Sequence, residues 1–238
     1  MKILIVGAGR GLGRAFVEGL AQAGDIVIGI SRSQPSDLVL PVGVELQWVA
    51  ADLSEPLLAC RKIEQVLPEQ LDVVICNVGI WEEKAFSAEY DFLADSDEQI
   101  VQMMNVNLTS TILLLKRFIP RLLKSAKPQL ILTGSTSALT RSGRPEVAFG
   151  ASKFGLNGIA DALREGFRDL RLAVTCLQLG YLNTDDALSV PLAQASQRGD
   201  GDLIPVHDVV RLVQALLQLS PSSYVRELVL PAILDERF

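Results

Sequence analysis

Three glycines near the start of the chain, Gly7, Gly11 and Gly13 in KILIVGAGRGLGRA, have the spacing of a phosphate-binding turn. An apolar run leads straight into them, and a helix-period pattern follows from Gly11. Glycine lets backbone amides close on a pyrophosphate, and the N-terminus of the following helix favours its negative charge. The order Gly-x-x-x-Gly-x-Gly differs from the commoner G-x-G-x-x-G. Two cations fall near the turn. Arg10 precedes Gly11, and Arg32 follows the second apolar run, where a protein selective for a ribose 2′-hydroxyl ordinarily sets a carboxylate. That place reads Ile30-Ser31-Arg32, without an acid. A planar guanidinium suits a 2′-phosphate, and Ser31 or Ser33 adds a hydroxyl, so the pattern points to NADP(H) rather than NAD(H).

Other chemistries are excluded by what the chain lacks. His207 is its only histidine, which rules against a multi-histidine metal centre and a Ser-His-Asp triad; no metal site is expected. His207 itself reads as an exposed polar residue in the first turn of a helix. Cys60, Cys76 and Cys176 have neither paired nor metal-ligand spacing and read as core thiols.

The elements that must position these residues alternate along the chain. Seven strand-like runs, KILIV, DIVIGI, VELQWVA, DVVIC, QLILTG, LAVTCLQL and ELVLP, are separated by amphipathic stretches. The expected helices cover 11–24, closed by Gly24 as a C-cap, then 55–67, one long helix over 97–125, 149–169 and 207–219. Near-continuous apolar strands joined through helices imply an α/β fold, with a parallel sheet covered on both faces. Ligands of such sheets bind beyond the carboxyl ends of the strands, and Gly7, Arg32, Asp52, Asn77, Ser135 and Gly180 all fall there. The stretch 181–205 is long and irregular for a connection and suits a mobile substrate lid. With 238 residues, 49% of them hydrophobic, one globular domain spanning 1–238 is expected. A net charge of −6 and the lack of a basic run argue against nucleic-acid binding. Apolar runs too short to span a membrane, with the first one cut off by Gly7, suggest no membrane association and a cytoplasmic protein.

Taken in order, these residues resemble the short-chain dehydrogenase/reductase family over nearly the whole chain. GAGRGLG is similar to the family's TGxxxGxG, with Val6 in place of threonine; Leu12 belongs to the same turn. Asp52, followed by Leu53, resembles the acidic residue that family members set against the adenine ring, and Asn77-Val78-Gly79 the NAG segment that buttresses the central strand. Asn107 in NVNL matches the active-site asparagine, Ser135 in LTGS the catalytic serine, and Lys153 in FGASK the lysine of YxxxK. Gly180 and Thr184 in LGYLNT match the PGxxxT segment near the nicotinamide, with Leu179 in place of proline. The resemblance implies a single-domain, Rossmann-type doubly wound sheet of about seven parallel strands and hydride transfer between nicotinamide and a carbonyl or secondary alcohol. It also implies that Ser135 polarises the carbonyl oxygen, that Lys153 holds the nicotinamide ribose and that Asn107 anchors a proton-relaying water. A homodimer or homotetramer is implied too, because family members commonly pair the two long helices, and TILLLKRFI is rich in apolar side chains.

The pattern breaks at one position. The family's catalytic tyrosine belongs four residues before Lys153, where this chain has Phe149. A phenol near an ammonium can protonate the alkoxide that hydride delivery creates, and a phenyl ring cannot. Three readings stay open: another donor, with Tyr181 after Gly180 or a held water as candidates; a dinucleotide-binding pseudoenzyme that acts as sensor or scaffold; or a substitution made to trap a complex. Arg141 and Arg144 fall in the segment that lines the family's substrate pocket and read either as solvated loop residues or as a site for an anionic group. Trp81, Phe86, Tyr90 and Phe92 form either a pocket wall or the packing of a long loop.

Overall fold

Alternation along each strand divides the core. In β1 (Lys2–Val6), Leu4 and Val6 pack to one side of the sheet and Ile3 and Ile5 to the other, and every central strand repeats the division. The computed structural model describes residues 1–237, so residue 238 of the expected domain lies outside the described residues. The Leu4 face is covered by α2 (Pro56–Glu64), α4 (Ser110–Leu122) and α5 (Val147–Gly166). The Ile3 face is covered by α1 (Gly11–Gly19) and α7 (Val206–Gln218). Between these layers runs one parallel sheet containing β2 (Ile26–Ser31), β3 (Glu45–Ala50), β4 (Val73–Cys76), β5 (Gln129–Thr133), β6 (Ala173–Leu179) and β9 (Glu227–Leu230). Its seven strands are ordered β3-β2-β1-β4-β5-β6-β9, so the strand order reverses beside β1, between it and β4. This is the doubly wound fold that the alternation implies, with a crevice above the reversal. The three cysteines are free and buried, as core thiols. No helix among the described residues is long and apolar enough to cross a membrane, and no group of His, Cys, Asp and Glu there could hold a metal ion.

Four local expectations need correction. The first helix ends at Gly19, because the Asp25 carboxylate takes the Gln22 N–H (2.9 Å) and draws the chain off the helix axis. Gly24 is therefore no cap; at φ +88° it serves the turn into β2, donating to Gly43 O. The long helix is not uniform: α3 (Asp97–Met104) passes into a π-turn at Asn105–Thr109 and then α4, which stops at Leu122. The stretch after β6 is also less irregular than expected. It carries β7 (Leu182–Asn183), α6 (Leu192–Ala195) and β8 (Ile204–Pro205), with β7 and β8 paired. Asn183, Asp186 and Arg198 bind its turns together, and the guanidinium and amide hold the Asp186 carboxyl down to about 2. His207 is half-buried rather than exposed, because its Nε2 lies 2.8 Å from Val190 O and anchors the same stretch to α7.

Candidate functional site

Above the strand reversal lies a cleft of about 820 Å³ that runs from Arg10 and Arg32 at one end to Ser135, Lys153 and Tyr181 at the other. Its floor is the glycine turn. Gly7 has φ +82°, and a Cβ there would lie 2.0 Å from Asn77 O; one on Gly13 would lie 1.9 Å from Gly7 O. Gly13 is thus packed beneath the turn and Asn77 against it, while Gly7, Gly11, Leu12 and Asn77 line the cleft. Thr184 lies over Gly11, which brings the segment after β6 onto the turn. Helix α1 starts without a side-chain cap, and its first backbone bond runs from Arg14 N–H to Arg10 O. Its leading amides are therefore available to an anion.

Ser31 and Arg32 end β2 at the cleft. Arg10 and Arg32 are exposed and form no ion pair among the described residues. The next acid in the loop, Asp37, is taken by Arg14 at 3.0 Å. Asp52 and Leu53 line the opposite wall. Asp52 accepts from the Ser54 N–H and hydroxyl, and these bonds, helped by Arg32, lower its pKa. The cradle suits a dinucleotide in shape and in polarity: backbone amides stand where glycines leave room, and the buried Thr133 hydroxyl in the wall has no partner. Sequence reasoning left out Gly9, whose Cβ would meet Ser31 Oγ at 2.7 Å, and Gly134, whose Cβ would meet Gln178 Oε1 at 2.2 Å. Both are close approaches of the turn after one strand to the side chain of a neighbouring strand.

At the other end, the Ser135 N–H donates to Gln178 Oε1 (3.0 Å) and its hydroxyl oxygen accepts from the Ser137 N–H (3.1 Å), which leaves the hydroxyl hydrogen free. Lys153 reaches past Gly79 to donate to Val78 O (3.2 Å) and Thr133 O (2.9 Å). Complete burial brings its pKa down to about 8. The ammonium lies 5.7 Å from the centroid of the Phe149 ring. Asn107 stands behind the cleft, in the π-turn. Its side chain accepts from Ile80 N–H (2.8 Å) and donates to Ile80 O (2.8 Å) and Ser152 Oγ (3.0 Å). Three of the amide's four hydrogen-bonding positions are thus used, and the side chain ties α3–α4 to the loop after β4 and to α5.

Helix α5 has no local cap. Buried Glu82 accepts from the Ala148 and Phe149 N–H groups instead, and buried Glu146 accepts from Phe86 N–H. Phe86 has φ +65°, a left-handed conformation that costs a bulky residue about 1–2 kcal/mol. It is held there edge-on between Phe149 (centroids 5.3 Å apart) and Tyr181 (5.5 Å). Trp81 and Phe86 extend this wall, whereas Tyr90 and Phe92 lie outside the cleft lining. Arg144 is not a solvated loop residue: its side chain is 11% exposed, bonded to the Tyr181 hydroxyl at 2.6 Å and to buried Asp235 at 3.1 Å. Arg141 is exposed, at φ +65°. Gly180 N–H donates to Leu230 O, which seats the segment beside β9.

Comparison with known proteins agrees with this architecture. A family model described as short chain dehydrogenase matches residues 1–192. A short-chain dehydrogenase/reductase of Armillaria gallica is 30% identical over 191 residues, covering 76% of this chain and 70% of that protein. The 3-ketodihydrosphingosine reductase of Bacteroides thetaiotaomicron is 28% identical over 76% of this chain; the match spans 64% of the relative's own length. Among solved structures, an alcohol dehydrogenase from the archaeon Thermococcus sibiricus complexed with 5-hydroxy-NADP superposes with a TM-score of 0.76 at 20% identity, covering 98% of this chain and 96% of that one.

Proposed function

Because the chain belongs to the short-chain dehydrogenase family, whose members bind a nicotinamide dinucleotide, we propose that it is an NADP(H)-dependent oxidoreductase interconverting a carbonyl and a secondary alcohol. The observation that carries the choice of NADP(H) is Ser31-Arg32 at the end of β2: an exposed guanidinium without an ion-pair partner, and no acid at the strand end itself. A 2′-phosphate gains charge-assisted hydrogen bonds there, and a bare 2′-hydroxyl finds no acid. Bound nicotinamide supplies hydride; the chain supplies position and polarity. Ser135 presents its free hydroxyl hydrogen to the substrate oxygen, and Lys153 offers its ammonium to ribose hydroxyls in exchange for Val78 O and Thr133 O. Asn107 holds the wall in place. Gly7, Arg10, Gly11, Leu12, Asp52, Leu53, Asn77, Gly79, Gly180 and Thr184 complete the binding surface, and Gly13 supports the turn from beneath. The substrate is read as a small uncharged carbonyl compound, since the aromatic wall is apolar and Arg144 is neutralised by Asp235.

Exposed Ile112 on α4 and Val147 and Phe154 on α5 support a homo-oligomer formed through these helices, and the acidic balance supports a cytoplasmic protein without nucleic-acid partners. Phe149 supports a second reading, a dinucleotide-binding pseudoenzyme. Calorimetric titration with NADPH and NADH, followed by a carbonyl panel, separates the two. The enzyme reading predicts tighter NADPH binding with turnover, whereas binding without turnover supports the pseudoenzyme. Failure to bind either nucleotide contradicts both.

A further inference from the structure

The cleft holds a phenol, though not at the expected position. Tyr181 follows Gly180 beyond the end of β6 and lines the cleft together with Ser135, Phe149 and Lys153. Its hydroxyl oxygen accepts a bond from the Arg144 guanidinium at 2.6 Å, and the guanidinium carbon lies 4.7 Å from its ring centroid. Arginine only donates, so this bond occupies a lone pair of the phenol and leaves its hydrogen uncommitted. Among the described residues, the Tyr181 hydroxyl donates to no acceptor. The ring itself is fixed: Phe86 packs edge-on against it and Arg144 lies over it. Arg144 in turn is held by buried Asp235, from a segment 91 residues away, and Arg237 bonds to Gly143 O in the loop that carries Arg144. A fixed phenol with a free hydrogen and a cation against its oxygen has the parts of a general acid.

We propose that Tyr181 donates the proton that Phe149 cannot, with Arg144 and Asp235 as the pair that orients and tunes it. This rests on the cleft being an NADP(H)-dependent carbonyl site. Hydride, which a reduced nicotinamide dinucleotide held in the cleft would supply, adds to the carbonyl carbon and moves the carbon–oxygen π pair onto oxygen. That oxygen takes the Tyr181 proton as the phenol O–H bond breaks. The phenolate is left against Arg144, and water at the cleft mouth restores its proton. Ser135 donates to the same oxygen without losing its hydrogen. The groups acting on the phenol are Arg144 and Arg237, which favour the phenolate, and Glu146 and Asp235, which oppose it; burial outweighs them and raises the pKa above the usual 10.0. Tyr181 is therefore protonated and able to donate throughout the neutral range.

The test compares wild type, Tyr181→Phe, Phe149→Tyr and the double variant for NADPH affinity and for reduction of a panel of aliphatic and aromatic ketones and aldehydes. Wild type should turn over, Tyr181→Phe should lose about 10²–10⁴-fold in kcat while binding NADPH unchanged, and the double variant should recover. Undiminished turnover by Tyr181→Phe overturns the proposal, as does turnover only in variants carrying tyrosine at 149, or none in any variant that binds NADPH. Failure of wild type to bind NADPH overturns the cofactor reading instead, and the proposal with it. A second readout needs no cofactor. Ultraviolet titration of tyrosinate, taken as the difference between wild type and Tyr181→Phe, should place this phenol above 10.0, and Asp235→Asn should lower it by leaving Arg144 unneutralised. An unchanged titration in Asp235→Asn contradicts the tuning role.

Discussion

The two ends of the cleft are built on opposite principles. At the Arg10–Arg32 end, amides and cations are left open: the helix lacks a cap, both arginines are exposed, and the loop's first acid is engaged elsewhere by Arg14. At the Ser135–Tyr181 end, nearly every polar group is already engaged inside the protein. Glu82 caps α5, Asp235 neutralises Arg144, Lys153 is bound to two carbonyls, and the remaining wall is aromatic. An end that awaits a multiply charged ligand keeps its donors unsatisfied. The end that faces the proposed uncharged reactant engages most of its polar groups inside the protein and leaves few hydrogens free, those of Ser135, Tyr181 and Thr133 among them. On the proposed reading, nucleotide affinity and chemistry rest largely on different residues, with Lys153 serving both, and Phe149 bears on the second.

The largest expected effect lies at the chemical end. Ser135→Ala removes a donor to the developing oxyanion and should lower kcat by about 10²–10³-fold with NADPH affinity kept, read by steady-state kinetics beside calorimetry. An equal loss of affinity would erase the division between the two ends. Next comes Lys153. Its pKa is about 8 in the fold and 10.5 when freely solvated, so between those values the unfolded chain holds a proton the folded chain has shed, and stability rises with pH. Relative to Lys153→Met, the wild type should gain about 3 kcal/mol across that window in chemical denaturation, with the difference flat below it.

At the binding end, Gly13→Ala forces a Cβ against Gly7 O and should cost about 1–3 kcal/mol of stability and weaken both nucleotides, by thermal melting and titration. Arg32→Ala should be the gentlest change: about tenfold weaker NADPH, or roughly 1.4 kcal/mol, with NADH unaffected. A parallel loss of NADH would mean that Arg32 does not read the 2′-phosphate.

What the sequence disclosed follows the same division. The seven strands and the glycine turn were legible because they are local: short, near-continuous apolar runs and closely spaced glycines suffice to find them. The chemical end is assembled from afar. Asp235 meets Arg144 across 91 residues, and Glu82 caps a helix that begins 65 positions later at Val147. No local pattern announces either contact, so Arg144 read as solvated and the cap of α5 went unseen. Asn107 was found by its motif, but the π-turn that commits its amide to Ile80 was not, because π geometry has no periodicity signature of its own. Gly24 misled for a related reason: a glycine after an apolar repeat looks like a cap until Asp25 is seen taking the amide of Gln22.

The most direct test of separate ends is the NADPH dissociation constant of wild type and Phe149→Tyr, measured by calorimetry alongside NADH and alongside turnover of both. The account predicts NADPH binding stronger than NADH binding in both proteins, and NADPH constants agreeing within about twofold whatever residue 149 does to the rate. Absent binding in wild type, or an affinity that appears only with tyrosine at 149, would contradict it.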